Sequence, residues 1–144
     1  MILMNGTRSG DSGFTAFQVQ VSRAKLAHLI RERFIAHLQT VYCHEQTALA
    51  LYRGLAARTA DSARRDMFLR LAQTKDRRAA RLANILQQLN TAPPRTCAGR
   101  RARIWQRLLV RLGPRCALAW IEHMKRGDTR RQIELTRLLR TLRD

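Results

Sequence analysis

Apolar residues recur every three or four positions along two long stretches of the chain, which is the spacing of helices that bury one face. The first stretch follows Ser22, a suitable N-cap, and continues to about residue 57. The second starts at Asp61 or Ser62 and ends near Leu89, before the sequence NTAPPR. Because so few residues separate them, they predict an antiparallel helix pair. The predicted buried positions are Leu38, Val41, Tyr42, Ala48, Leu49, Tyr52, Leu55 and Ala56, then Met67, Phe68, Leu71, Ala72, Ala79, Leu82, Ile85, Leu86 and Leu89.

The pattern becomes shorter after this pair. Residues 91–103 contain two prolines and predict a linker, and residues 104–112 predict a short helix that Gly113-Pro114 ends. A further helix is expected to end at Gly127, with Asp128 or Thr129 capping a last one. The apolar positions of these pieces are Ile104, Leu108, Leu109 and Leu112, then Ala117, Trp120, Ile121 and Met124, then Ile133, Leu135, Leu138, Leu139 and Leu142.

The organisation that follows is one all-α domain behind a flexible tail. Residues 1–21 are rich in Gly, Ser and Thr at first, and they predict a mobile N-terminal tail, with a short extended segment as an alternative for its end. The domain then covers residues 22–144 and comprises the helix pair at 22–90, the linker at 91–103 and short helices at 104–144. No convincing strand pair is present after residue 21, so the fold class is all-α.

Charge narrows the choice of partners. The 144 residues include 28 basic and 10 acidic ones, for a formal charge of +18, and all but three of the basic residues are arginine. Such a chain is expected to bind polyanions, which include nucleic acid, an anionic membrane surface or an acidic protein. A GC-rich genome that favours arginine codons is the alternative explanation. The candidate patch for an anionic partner is Arg100, Arg103, Arg107 and Arg111, at helical spacing near Trp105.

The three cysteines form neither a CxxC motif nor an even set. Their odd number argues against a disulfide framework and a zinc site, and it favours a reducing compartment. No apolar run reaches the roughly 20 residues that a bilayer span needs, and the N-terminus does not follow the pattern of a signal peptide. The sequence therefore predicts a cytoplasmic protein without a transmembrane segment.

Charged residues interrupt the apolar faces of the predicted helix pair. Glu45 lies within the first stripe, Lys75 lies on the buried face of the second helix, and Arg78 lies at its edge. A buried carboxylate is costly unless a cation pairs with it. Two interpretations follow: either Lys75 pairs with Glu45 across the interface, or the second helix is rotated so that both cations extend to solvent along their aliphatic stems.

A family resemblance is carried by these same positions. The motif F-x-x-L-A-x-x-E-x-x-H-A aligns here with Phe68, Leu71, Ala72, Lys75, Arg78 and Ala79, with lysine in place of the Glu and arginine in place of the His. Glu45 is followed by Tyr52 two turns later. Over about residues 38–140 the chain resembles rubrerythrin and ferritin-like proteins. It is most similar to the ferritin-like domain that some vacuolar iron transporter family proteins carry ahead of their membrane part.

The resemblance implies a bundle built to hold two iron or manganese ions between Glu and Glu-x-x-His ligands. Glu45 would be a remnant ligand and Tyr52 the tyrosine of the site, whereas Lys75 and Arg78 would occupy vestigial ligand positions. A protonated lysine or arginine cannot ligate a metal. The chain is therefore expected to lack an intact di-metal centre and any cofactor, with iron or manganese as the cofactor if the site is active.

Two functions are consistent with this sequence. The first is a degenerate ferritin-like protein, not an enzyme, that acts as an interaction or scaffold module and completes its partial four-helix bundle as a homodimer. The second is a small basic helical protein that binds nucleic acid or an anionic surface through its C-terminal half. A single-metal site formed by Glu45, Glu122 and His123 is a further alternative for the first class.

Overall fold

A computed structural model describes residues 11–143, with the side chains of 11–17 and 142 excepted. It contains four helices, α1 (Asp11–Arg58), α2 (Ser62–Gln88), α3 (Arg100–Leu112) and α4 (Pro114–Arg143), and this part of the chain contains no strand. The predicted all-α fold class is therefore confirmed for the described residues.

Helix α1 is the element against which the other three helices pack. Helix α2 is antiparallel to it, because the turn at residues 59–61 reverses the chain and the Arg31 guanidinium donates a hydrogen bond to the carbonyl of Leu89 at 3.2 Å. Helix α4 also runs back along α1, with Ile121 in the core beside the second half of α1 and Asp128 against His44. Helix α3 packs against both α1 and α4, with Leu109 and Val110 of its second half at the core.

The core lies where the second half of α1 meets the other helices. Its central side chains are apolar and almost completely buried, whereas every charged side chain among the described residues keeps some exposure. The cluster consists of Ala48, Leu49, Leu51, Tyr52, Leu55, Ala56, Phe68, Ala72, Leu109, Ala117 and Ile121. The exposed Met67 and Ile85 show that the predicted stripe of α2 was drawn too wide, since both lie outside the face that contacts α1.

The predicted start of the first helix at Ser22 is wrong. Helix α1 begins at Asp11, so Ser22 lies in its interior, and the residues read as a possible extended segment are helical. An isolated extended segment has no partner for its backbone groups, whereas a helix satisfies its own. Residues 1–10 of the predicted tail lie outside the described residues.

The predicted helix end at Gly127 is also wrong, because α4 continues through it to Arg143. A glycine inside a helix costs only about 1 kcal/mol. The contact of the next residue, Asp128, with His44 on α1 holds the helix in register at this point. The N-terminal boundary of the third helix was likewise misplaced, since α3 begins at Arg100 rather than at 104.

Other boundaries follow the sequence signals. The Asp61 side chain accepts a hydrogen bond from the backbone N–H of Ala63, as an N-cap does. Gly113 ends α3 with a φ of 109°, a conformation that favours glycine, and Pro114 is the first residue of α4.

A close approach between α1 and α3 depends on Gly54. A β-carbon at this position would lie 2.9 Å from Cγ2 of Val110, which is closer than van der Waals contact. Glycine therefore lets the short helix α3 come nearer to α1 than any other residue would allow. This approach sets the distance between α1 and α3 along the groove that they line.

Candidate functional site

Glu45 and Lys75 form an ion pair across the interface of α1 and α2. Lys75 Nζ lies 3.2 Å from Glu45 Oε2, and the two side chains retain only 15% and 14% of their exposure. The same oxygen has no partner with hydrogen-bond geometry, so the contact is an attraction between charges at an unfavourable angle. The interpretation in which Lys75 pairs with Glu45 is therefore confirmed. Arg78 is exposed.

Tyr52 lies beside this pair in the core. It is 6% exposed and stacks on Phe68 with 6.5 Å between ring centroids. Burial raises the pKa of its phenol, and the negative charges of Glu122 and then Glu45 raise it further. The phenol therefore stays protonated beside the two carboxylates at neutral pH. Glu45 and Tyr52 on α1, Lys75 on α2 and Glu122 on α4 thus belong to one electrostatic neighbourhood.

This neighbourhood does not assemble a set of metal ligands. Within residues 11–143, no three His, Cys, Asp or Glu side chains come close enough together to hold a metal ion. Glu122 and His123 are both exposed, and the His123 ring lies 5.7 Å from that of Trp120. The adjacent residues diverge because successive helical side chains point about 100° apart. The alternative site of Glu45, Glu122 and His123 is therefore not formed among the described residues.

Two histidines of α1 lie against α4. Both His37 and His44 are half-buried. His44 Nδ1 lies 2.9 Å from each carboxylate oxygen of Asp128. Burial lowers the pKa of His37, and Arg131 and His44 lower it further, against the opposing effect of Asp128. The Nδ1 atom of His37 is buried without a hydrogen-bond partner.

A disulfide joins Cys43 on α1 to Cys97 in the connection between α2 and α3. The expectation of no disulfide is thus wrong, and the cysteine count no longer argues for a reducing compartment. The odd residue is Cys116, which is free and exposed. The sequence could not reveal the pairing, because it depends on the connection returning across α1 to bring the two Cα atoms within 5.0 Å.

Arginine side chains line a groove between α1 and α3 of about 590 Å³. Small residues of α1 form its floor, with Ala50, Gly54 and Ala57 at helical spacing. We call it the arginine groove and define it by Arg58, Arg103, Arg107 and Arg111. Its lining contains no carboxylate.

The arginine groove is unneutralised within the described part of the chain. The three ion pairs found among residues 11–143 join His44 to Asp128, Arg64 to Asp61 and Lys75 to Glu45, so none involves a groove arginine. Like charges one helical turn apart destabilise a helix by a few tenths of a kcal/mol each. Repulsion among the arginines of α3 therefore lowers the free energy of unfolding, and a bound anion would restore it.

The structure changes the membership of the predicted arginine patch. Arg103, Arg107 and Arg111 share one face of α3, as predicted, whereas Arg100 at the start of α3 does not line the groove. Arg58 was missed because it is the last residue of α1, far from α3 in sequence. A cation at a helix C-terminus is explained by the helix dipole alone, so no sequence signal linked it to the groove.

Removing the lysine of the buried pair should be more destabilising than removing both charges. Lys75→Met leaves the Glu45 carboxylate buried and unpaired, and we expect a loss of about 3 kcal/mol in the free energy of unfolding. The combination Glu45→Leu with Lys75→Met should return to within about 1 kcal/mol of the wild type. Urea denaturation measures both. Arg64→Met, which removes an exposed pair, is the control, and an equal loss there would contradict a special role for Lys75.

Acidification should lower the stability of the folded protein because His37 takes up a proton less readily when folded than when unfolded. Its pKa in the folded state is below the ordinary value of about 6.5, so the unfolded chain binds a proton first as the pH falls. The free energy of unfolding should therefore decrease from pH 6.5 downwards until the folded-state pKa is passed. His37→Gln should reduce this dependence, measured by urea denaturation across the pH range, while His28→Gln at an exposed position should not. Identical pH profiles for all three proteins would exclude His37 as the cause.

No protein-family model, no curated protein and no solved structure matches the chain. The ferritin-like resemblance thus stands on the residues that carry it. The described helices also include none that is long and apolar enough to cross a membrane.

Proposed function

We propose that the protein is a binding module that holds an anionic partner in the arginine groove. The observation that carries the proposal is the convergence of four guanidiniums on one groove whose lining has no carboxylate. Guanidinium groups bind phosphate and carboxylate oxygens with paired hydrogen bonds, which makes arginine better suited than lysine to such a groove. The charge of +18 would add long-range attraction for the same class of partner.

The scaffold of this module is, in our proposal, a degenerate ferritin-like one. The Lys75 ammonium lies against Glu45, where the resemblance would place a metal ligand, and a cation there compensates the carboxylate without a metal. Such a protein would be an interaction module and not an enzyme. The position of Tyr52 beside Glu45 supports the same ancestry.

A homodimer remains part of the proposal. Helix α1 extends past the end of α2, which reaches only the level of Arg31. Val19, Leu26 and Leu29 on this extension are exposed apolar residues that a second copy would cover. A monomeric mass by light scattering at micromolar concentration would contradict the dimer.

Metal analysis tests the scaffold proposal. Protein purified from cultures supplemented with iron and manganese should contain far less than one metal ion per chain. The double variant Lys75→Glu, Arg78→His should take up metal, because it supplies a carboxylate opposite Glu45 and an imidazole one turn further on. Arg77→Glu with Arg81→His makes the same charge change at exposed positions and should stay empty. Stoichiometric metal in the wild type, or an empty but folded Lys75→Glu, Arg78→His variant, would contradict this part of the proposal.

Salt-dependent binding tests the arginine groove. A labelled single-stranded oligonucleotide serves as a general phosphate polyanion, and fluorescence anisotropy measures its affinity between about 50 and 200 mM salt. Arg107→Gln with Arg111→Gln should weaken binding and lower the slope of log K against log salt by about 0.7 for each arginine removed. Arg77→Gln with Arg81→Gln on α2 changes the charge equally and should have a smaller effect. Equal effects of the two pairs would mean that overall arginine content, and not the groove, attracts the anion.

A further inference from the structure

Helix α3 presents an apolar row that the structure leaves uncovered. Ile104, Leu108 and Leu112 are 60%, 43% and 59% exposed, although they were expected to be the apolar side of this helix. The residue of α3 that is buried is Leu109. We call Ile104, Leu108 and Leu112 the aliphatic row. Trp105, 44% exposed, borders the row and packs edge-on against Trp120 of α4, with 5.9 Å between ring centroids.

The aliphatic row runs beside the arginines of the groove. The sequence repeats the same pair at every helical turn, as Arg103-Ile104, Arg107-Leu108 and Arg111-Leu112. Successive residues of a helix point about 100° apart, so the arginines face α1 and the groove while the aliphatic row faces away from α1. The exposed surface of α3 therefore has two parts, an aliphatic row and, beside it, a row of arginines.

The combination of these two rows selects among anionic partners. A nucleic acid would contact the guanidiniums but leave three aliphatic side chains in water. The surface of an anionic bilayer offers phosphates for the arginines and a headgroup–acyl boundary for the aliphatic row and Trp105. A second copy of the chain is a poor occupant of this surface, since a symmetric contact would bring the arginines of the two α3 helices together.

We propose that α3 lies in the surface of an anionic phospholipid bilayer, with the aliphatic row inserted at the headgroup–acyl boundary and the arginines of the groove on lipid phosphates. This inference rests on the proposed function, because it names the anionic partner of the arginine groove. It adds a requirement that the groove alone does not make: the apolar side chains beside it must contribute to binding.

Vesicle binding tests the proposal with the full chain. The probes are vesicles of phosphatidylcholine alone and of phosphatidylcholine mixed with phosphatidylglycerol, with the single-stranded oligonucleotide in parallel. We expect binding to the anionic vesicles and little to the neutral ones. The variant Ile104→Ser, Leu108→Ser, Leu112→Ser should lose about tenfold or more in vesicle affinity and keep its oligonucleotide affinity. Ile133→Ser with Leu139→Ser removes apolar side chains of similar exposure from α4 and should leave vesicle binding unchanged.

A tryptophan readout keeps the test independent of whether the serine variant folds. In Trp120→Phe, Trp105 is the single tryptophan, and its emission should shift to the blue on anionic vesicles and be quenched by brominated lipid acyl chains. Unchanged emission, or equal vesicle affinity of the serine variant, would overturn insertion of α3. Binding to the oligonucleotide but not to vesicles would overturn this inference and leave the proposed function standing. Binding to neither would contradict both, and a dimer that the serine substitutions convert to monomer would reassign the row to an interface between copies.

Discussion

A carboxylate that is largely buried between two helices needs a compensating charge, and the packing of α1 against α2 depends on where that charge comes from. Lys75 supplies the compensating charge from the facing helix at 3.2 Å from Glu45. Such a pair contributes little net stability compared with two apolar residues in its place, but removing either partner alone leaves the other as an uncompensated charge. It also fixes the rotation of α2, because only one orientation brings Lys75 onto the carboxylate while Phe68 and Ala72 stay in the core.

Helix α1 provides the common surface for the rest of the molecule. One side contacts α2 through the ion pair, and another contacts α4 through His44 and Asp128. A third side carries small residues that admit α3, with Gly54 directly under Val110. The arginine groove is a product of this third contact, because a bulkier residue at position 54 would hold the cationic face of α3 further from Arg58. Packing inside the bundle and charge on its surface are thus linked through a single glycine.

Local signals in the sequence predicted local structure well. Asp61 caps α2, and Gly113-Pro114 separates α3 from α4, because each acts through its own backbone conformation. The ion pair was foreseeable as one of two options, since a stripe of known period placed both charges on facing surfaces. The helix boundaries predicted at Ser22 and Gly127 were wrong because both residues can lie inside a helix. Nothing near Ser22 interrupts α1, and the contact of Asp128 with His44 holds α4 in place at Gly127.

What depended on distant contacts could not be read from the sequence. Arg58 joins the groove only because α3 folds back along α1, and the exposure of Ile104, Leu108 and Leu112 shows that an apolar stripe does not reveal which of its residues another helix covers. The half-burial of His37 and His44 has the same origin, since α4 covers residues that are separated from it by most of the chain.

The bond between Cys43 and Cys97 has a consequence for the chain when it is not folded. It closes a covalent ring that contains the second part of α1, the turn and the whole of α2, over a sequence separation of 54 residues. In the chain-entropy model, closing a ring of this size lowers the configurational entropy of the unfolded chain, and this stabilises the folded state by about 4 kcal/mol. Glu45 and Lys75 both belong to the ring, so in the oxidised, denatured protein their average separation is shorter than it would be in an open chain. When the oxidised chain refolds, the carboxylate and its neutralising ammonium therefore start within one covalent ring and not in an open chain.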